Sequence, residues 1–187
     1  MKINESNVLK IMNRDNKDHL NDAILEEIKL LNPKVQIYLE PDVNYVIVSD
    51  TVYVAISLGQ SITKLTQEIW SSNDYFKAMV LDTILTDLLF TLSNTTYQLI
   101  KDDILKKEKA LSKRLTPGDE LNLSMNRTIL DKLHTKLKCN EYYVIEPLHS
   151  LVYMYNIQDD FDCDEDISCK SCANQSCHLR SKYETYR

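Results

Sequence analysis

The run from Tyr75 to about Lys109 contains neither proline nor glycine, and this unbroken stretch constrains the fold more than any other feature of the chain. Ser72-Asn73-Asp74 stands ahead of it, a cluster of residues whose side-chain oxygens accept from the free N–H groups of a first helical turn. From Ala78 to Leu92 the run is apolar on most sides, which predicts a central helix buried against a sheet. Its end, Lys101 to Lys109, is charged and is expected to be exposed. Only two glycines occur in 187 residues, Gly59 and Gly118. Each is therefore expected where the backbone needs a conformation that other residues adopt at a cost.

The flanking segments supply partners for that helix. Ile3, Val8, Leu9, Ile11 and Met12 predict a short amphipathic helix, followed by the polar break Asn13 to Asp18. Leu20, Ile24, Leu25, Ile28 and Leu31 share a helical period that Pro33 is expected to end. Period-two patterning then predicts strands at Val35–Leu39, Tyr45–Val48 and Val52–Ile56, the last two as a hairpin around Ser49-Asp50-Thr51. Ile62, Leu65, Ile69 and Trp70 mark another helix, and Met125 to Lys138 a further one. Tyr142–Ile145 and Leu151–Tyr155 read as two more strands. The fold class is α+β, with helices packed on a twisted, mainly antiparallel sheet.

Hydrophobic content of 43% and charged content of 27% are ordinary for a globular chain of 187 residues, long enough for a normal core. A net charge of −6 argues against nonspecific nucleic-acid binding, which needs a basic surface to release counterions. No secretory leader pattern and no apolar run of about 18 residues is present, so no membrane role and a cytoplasmic location are expected. The composition divides the chain into a domain at 1–158 and an acidic, cysteine-rich tail at 159–187.

Two stretches carry chemistry. In Arg114-Leu115-Thr116-Pro117-Gly118, Pro117 pre-sets its φ and Gly118 takes a positive φ behind it, which predicts a tight turn. Arg114 is a planar, permanent cation suited to a carboxylate or another anion, with a solvated arginine beside a helix–helix turn as the plainer reading. In the tail, Cys169-x2-Cys172-x4-Cys177, with Cys163 upstream and His178 adjacent, suits a metal: structural zinc or an iron–sulfur cluster. A reduced tail with no metal is the alternative. Other polar candidates are weaker. His149 reads as a solvent-facing loop residue that could meet a ligand, His19 and His134 as helix-surface residues, and Glu146 has no catalytic companion in sequence. Trp70 and Phe90 are expected in the core. No phosphate-binding glycine loop, nucleophile elbow or dinucleotide fingerprint is present.

With these residues assembled, the chain resembles the activation (reactivation) domain of cobalamin-dependent methionine synthase in its small standalone form. Ala55-Ile56-Ser57-Leu58-Gly59 looks like the family's strand ending in Thr-x-Gly, and Tyr75 to Asp82 is similar to its helix start. Arg114-Leu115-Thr116-Pro117-Gly118 resembles its Arg-x-x-Pro-Gly-Tyr signature, and Pro147-Leu148-His149-Ser150 its Pro-x-x-Ser segment. Cys169, Cys172, Cys177 and Arg180 resemble the ending of many standalone members. At two positions the chain departs: Phe90 stands where members carry a glutamate facing the ligand's amino group, and Asp119 replaces the tyrosine after Pro-Gly.

The resemblance implies a C-shaped domain that binds S-adenosylmethionine and presents its methyl group to an oxidised cobalamin held by a partner. Arg114 would grip the carboxylate, with Pro117 and Gly118 shaping the cleft, and orientation rather than acid–base catalysis would be the protein's contribution. The implied role is that of an accessory protein for reductive reactivation of a cobalamin-dependent methyltransferase, an enzyme subunit if active. Its partners would be a corrinoid-binding methyltransferase subunit and a reductase or flavodoxin-like electron donor. An alternative on the same fold is a non-enzymatic module that docks on a corrinoid protein, with Cys163, Cys169, Cys172 and Cys177 holding an iron–sulfur cluster or zinc. A third reading is a zinc-stapled interaction protein unrelated to cobalamin.

Overall fold

The computed structural model describes residues 1–12 and 19–159. Its long element is a 31-residue helix, α4 (Tyr75–Leu105), roughly 46 Å in length at 1.5 Å per residue. The Asp74 carboxylate caps it by accepting from the Lys77 N–H at 3.1 Å. Ahead of it come α1 (Glu5–Ile11), α2 (His19–Tyr38) and α3 (Gln60–Ser71). These pack on the first half of α4 through Val8, Ile24, Ile28, Leu31, Ile62 and Leu65, which close a core with Ala78, Leu81, Ile84 and Leu88. The second half of α4 covers a sheet instead, through Tyr97, Ile100 and Ile104.

That sheet has four antiparallel strands in the order β1-β2-β6-β3, with β1 Asp42–Val48, β2 Thr51–Ser57, β3 Ala110–Leu111 and β6 Ser150–Gln158. Val52, Val54, Ile56, Tyr153 and Tyr155 point to α4, whereas Ala55 and Val152 point to α5 (Met125–Lys132) on the opposite face. Period two within each strand thus serves two different helices. A separate ribbon pairs β4 (Lys138–Cys139) with β5 (Ile145–Glu146). At the far end, the Tyr45 hydroxyl of β1 donates to Asp103 of α4 at 2.8 Å. The architecture is α+β, as the sequence implies. No helix among the described residues is long and apolar enough to cross a membrane.

Several elements differ from expectation. Helix α2 continues through Pro33 to Tyr38, so the expected strand at Val35–Leu39 does not form. Pro33 lies on the exposed side, while Ile24, Ile28, Leu31 and Val35 are buried at helical spacing and Ile37 is 77% exposed. Burial of that stripe outweighs the lost N–H of one proline. The segment at Tyr142–Val144 is not paired as a strand, because Tyr143 takes a positive φ of 63° and Asn140 folds back on the Val144 N–H. Helix α5 ends at Lys132 rather than Lys138.

Both glycines have positive φ, for different reasons. Gly59 (φ 100°, ψ 166°) occupies a region populated almost only by glycine, and a Cβ there would stand 2.7 Å from Cβ and 2.8 Å from the carbonyl oxygen of Glu40. At Gly118 (φ 91°) a Cβ would meet only Leu123 Cδ1, at 3.4 Å. Gly59→Ala is therefore expected to lower stability by at least ~2 kcal/mol and Gly118→Ala by about 1 kcal/mol. Urea unfolding midpoints at unchanged slope provide the measurement.

Candidate functional site

Arg114 closes a stretch of edge strand that carries one extra residue. Along β6 the pairs are Ala110 with Gln158 and Leu111 with Ile157, but the next bridge joins Leu115 to Met154. Three residues (112–114) therefore stand opposite two (155 and 156), which is a β-bulge. Leu111 faces α4, and regular alternation would send residue 114 to the α5 face. With the bulge absorbed and Leu115 opposite Met154 of the α5 face, Arg114 stands on the α4 side, where its guanidinium donates to the Ser93 hydroxyl at 3.1 Å. Its carbon lies 5.3 Å from the centroid of the Tyr153 ring.

Ser93 is fully buried and also hydrogen-bonds the Tyr153 hydroxyl, at 3.4 Å. Tyr153 is 1% exposed and packs edge-on against Tyr155. Arg114 itself is half-buried, and among the described residues no carboxylate lies within ion-pair distance of it. The cluster is thus a cation seated on an aromatic face with no counter-ion among the described residues, an arrangement that favours an incoming carboxylate. Phe90, also half-buried, sits one turn before Ser93 on the same side of α4. No acid occupies that position.

The chain then turns sharply. Asp119 N–H donates to Thr116 O at 3.1 Å with Pro117 and Gly118 between them, a type II turn with its positive φ at Gly118. Glu120 fastens the turn, accepting from Thr116 N–H at 3.3 Å and pairing with Lys113 at 3.6 Å. Pro117 and Gly118 therefore act through the backbone that follows Arg114. Asp119 is exposed.

A second polar cluster lies roughly three turns earlier on α4, about 16 Å along the axis. Asp82 accepts from the Trp70 indole N–H at 3.1 Å and stands 3.7 Å from His149 Nε2. His149 is a correction to the sequence reading: its side chain is only 11% exposed, because its carbonyl is tied to the Leu58 N–H at 2.9 Å and holds the residue against β2. Trp70 is the converse case, 39% exposed rather than core, since its ring packs on Tyr75 at the surface end of α3. Beside His149, the Ser150 hydroxyl donates to Ser57 Oγ, which also accepts from Gly59 N–H.

Cys163, Cys169, Cys172 and Cys177 lie outside the described residues, as do His178 and Arg180. Among the described residues no group of three His, Cys, Asp or Glu side chains could hold a metal ion. Ser93 and Tyr153 were not singled out in sequence. Tyr153 is signalled by the alternation of Leu151, Tyr153 and Tyr155, and Ser93 by being a small polar residue in the apolar stretch of α4.

Trp70 is the single tryptophan of the chain. Asp82→Ala is expected to shift its fluorescence to longer wavelength and to cost about 0.5–1 kcal/mol, while Asp82→Asn retains an acceptor and most of the native spectrum.

No protein-family model matches the sequence, and no curated protein matches it. Among solved structures, the chain is similar to the MetH reactivation domain bound to AdoHcy, with a TM-score of 0.59 at 10% identity. The match covers 81% of this chain and 69% of that one. The chain has the fold of the MetH reactivation domain.

Proposed function

We propose that the protein is a reactivation-type accessory subunit that binds S-adenosylmethionine beside Arg114 and presents it to a cobalamin held by a partner methyltransferase. The observation that carries this reading is the Arg114 guanidinium, held by Ser93 on the Tyr153 ring with no carboxylate partner among the described residues, in a fold whose solved neighbour is bound to AdoHcy. An amino-acid carboxylate placed there meets a forked donor already oriented, so little side-chain entropy is lost on binding. The bound sulfonium would supply an electrophilic methyl group. The chain's own residues bind and orient, and the buried Tyr153, Tyr155 and Ser93 form a dry backing behind Arg114. The ligand's ammonium group finds no acid at Phe90, so recognition leans on the carboxylate end.

A second reading is favoured by that same Phe90: a non-enzymatic module that docks on a corrinoid protein, with Cys163, Cys169, Cys172 and Cys177 holding an iron–sulfur cluster or zinc. Visible absorbance of the anaerobically purified protein distinguishes the two metals, since zinc is colourless.

Calorimetric titration with S-adenosylmethionine tests the first reading. Arg114→Ala is expected to weaken binding roughly 10- to 150-fold, the range of a charge-assisted hydrogen bond, and Ser93→Ala several-fold. No heat at millimolar ligand, or binding indifferent to Arg114→Ala, overturns it.

A further inference from the structure

Asp87 of α4 is 2% exposed, and the first proposal takes no account of it. The Asn7 side-chain amide of α1 donates to Asp87 Oδ1 at 2.9 Å. The remaining oxygens of both side chains, Asn7 Oδ1 and Asp87 Oδ2, are buried and lack a hydrogen-bond partner among the described residues. An ionised carboxylate is an acceptor only, so this joined pair of side chains is left with two buried acceptors, both unsatisfied. One proton on Asp87 Oδ2 makes it a donor to Asn7 Oδ1 and satisfies both at once. We propose that Asp87 is held as the neutral acid in the native protein and forms with the Asn7 amide a two-bond latch that fastens α1 to α4 and opens on ionisation.

Among the described residues, the surroundings supply no cation that would hold the carboxylate charged. On α1, Glu5 and Lys10 are exposed. Between α2 and α4, Glu27 is paired with Lys77 at 3.2 Å. Strand β2, which contacts α4, carries no charged residue, and β6 offers it only the phenols of Tyr153 and Tyr155. Burial raises the pKa of Asp87, opposed by hydrogen bonds from the Asn7 side chain and the Asn4 backbone, with no charge among the causes.

The latch matters because α1, at seven residues, is too short to persist alone. Its docking rests on Val8, with Leu9 and Met12 beside it, and on this polar pair. Since folding raises the pKa of Asp87 above its unfolded value, the stabilisation is complete below the unfolded pKa and is lost as pH rises through the folded one. Helix α1 is therefore released from the alkaline side.

Hydrogen exchange of the α1 amides in the full chain, corrected for intrinsic rates, tests this between about pH 5 and 9. Wild-type protection is expected to fall at least tenfold across the range. Asp87→Asn, whose amide supplies one donor and one acceptor without charge, is expected to stay protected throughout, and Asn7→Ala to lose protection even at the acidic end. A carboxylate carbon signal for Asp87 that is already ionised near pH 5, or Asp87→Asn protection that tracks pH as wild type does, overturns the proposal. Should Asp87→Asn not fold, the carbon signal and Asn7→Ala decide it.

Discussion

Two hydrophobic cores close on a single helix, and the rest of the structure follows from that sharing. Residues 78–88 of α4 complete a helical cluster with α1, α2 and α3, while Tyr97, Ile100 and Ile104 roof the sheet. A helix serving one core would show a single apolar stripe; α4 must be apolar on most sides in its first half and one-sided in its second. The polar residues it buries stand where the two roles meet. Asp87 and Ser93 are both buried near the middle of the helix, one facing α1 and the other the bulged strand. Each bonds a partner distant in sequence, Asn7 for Asp87 and Arg114 for Ser93, which ties separate segments of the chain to the centre of the fold.

This arrangement explains what could be read beforehand. The long helix, the Ser49-Asp50 hairpin and the Pro117-Gly118 turn depend on local chemistry: caps, β-branched alternation and a positive φ at a particular glycine. They were legible. Helix α2 was not, because Val35, Ile37 and Leu39 fit period two as neatly as Val35 continues the period of Ile24, Ile28 and Leu31. Tertiary burial of the second pattern decided between them, and a surface-facing Pro33 did not prevent it.

The candidate site shows the same division. Arg114 was legible only as a candidate, from its residue type and its neighbours in sequence. Its companions Ser93 and Tyr153 come from α4 and β6, and no local spacing relates them to it. His149 was misjudged for a similar reason: a loop histidine reads as solvated unless its backbone is known to be tied to a neighbouring strand. The tie is a long-range pairing, invisible to pattern.

The bulge before Leu115 makes this strand tolerant where the site needs it. Substitution of Ser112 or Lys113 leaves the number of residues between the two flanking pairs unchanged, and the cation keeps its side of the sheet. Loss of either residue would remove the bulge, yet Leu115 opposite Met154 would leave Arg114 opposite Tyr155 and still on the α4 face. The side on which the cation stands is thus set by the pairing that follows it, and the preceding segment can change length by one residue without moving the charge across the sheet.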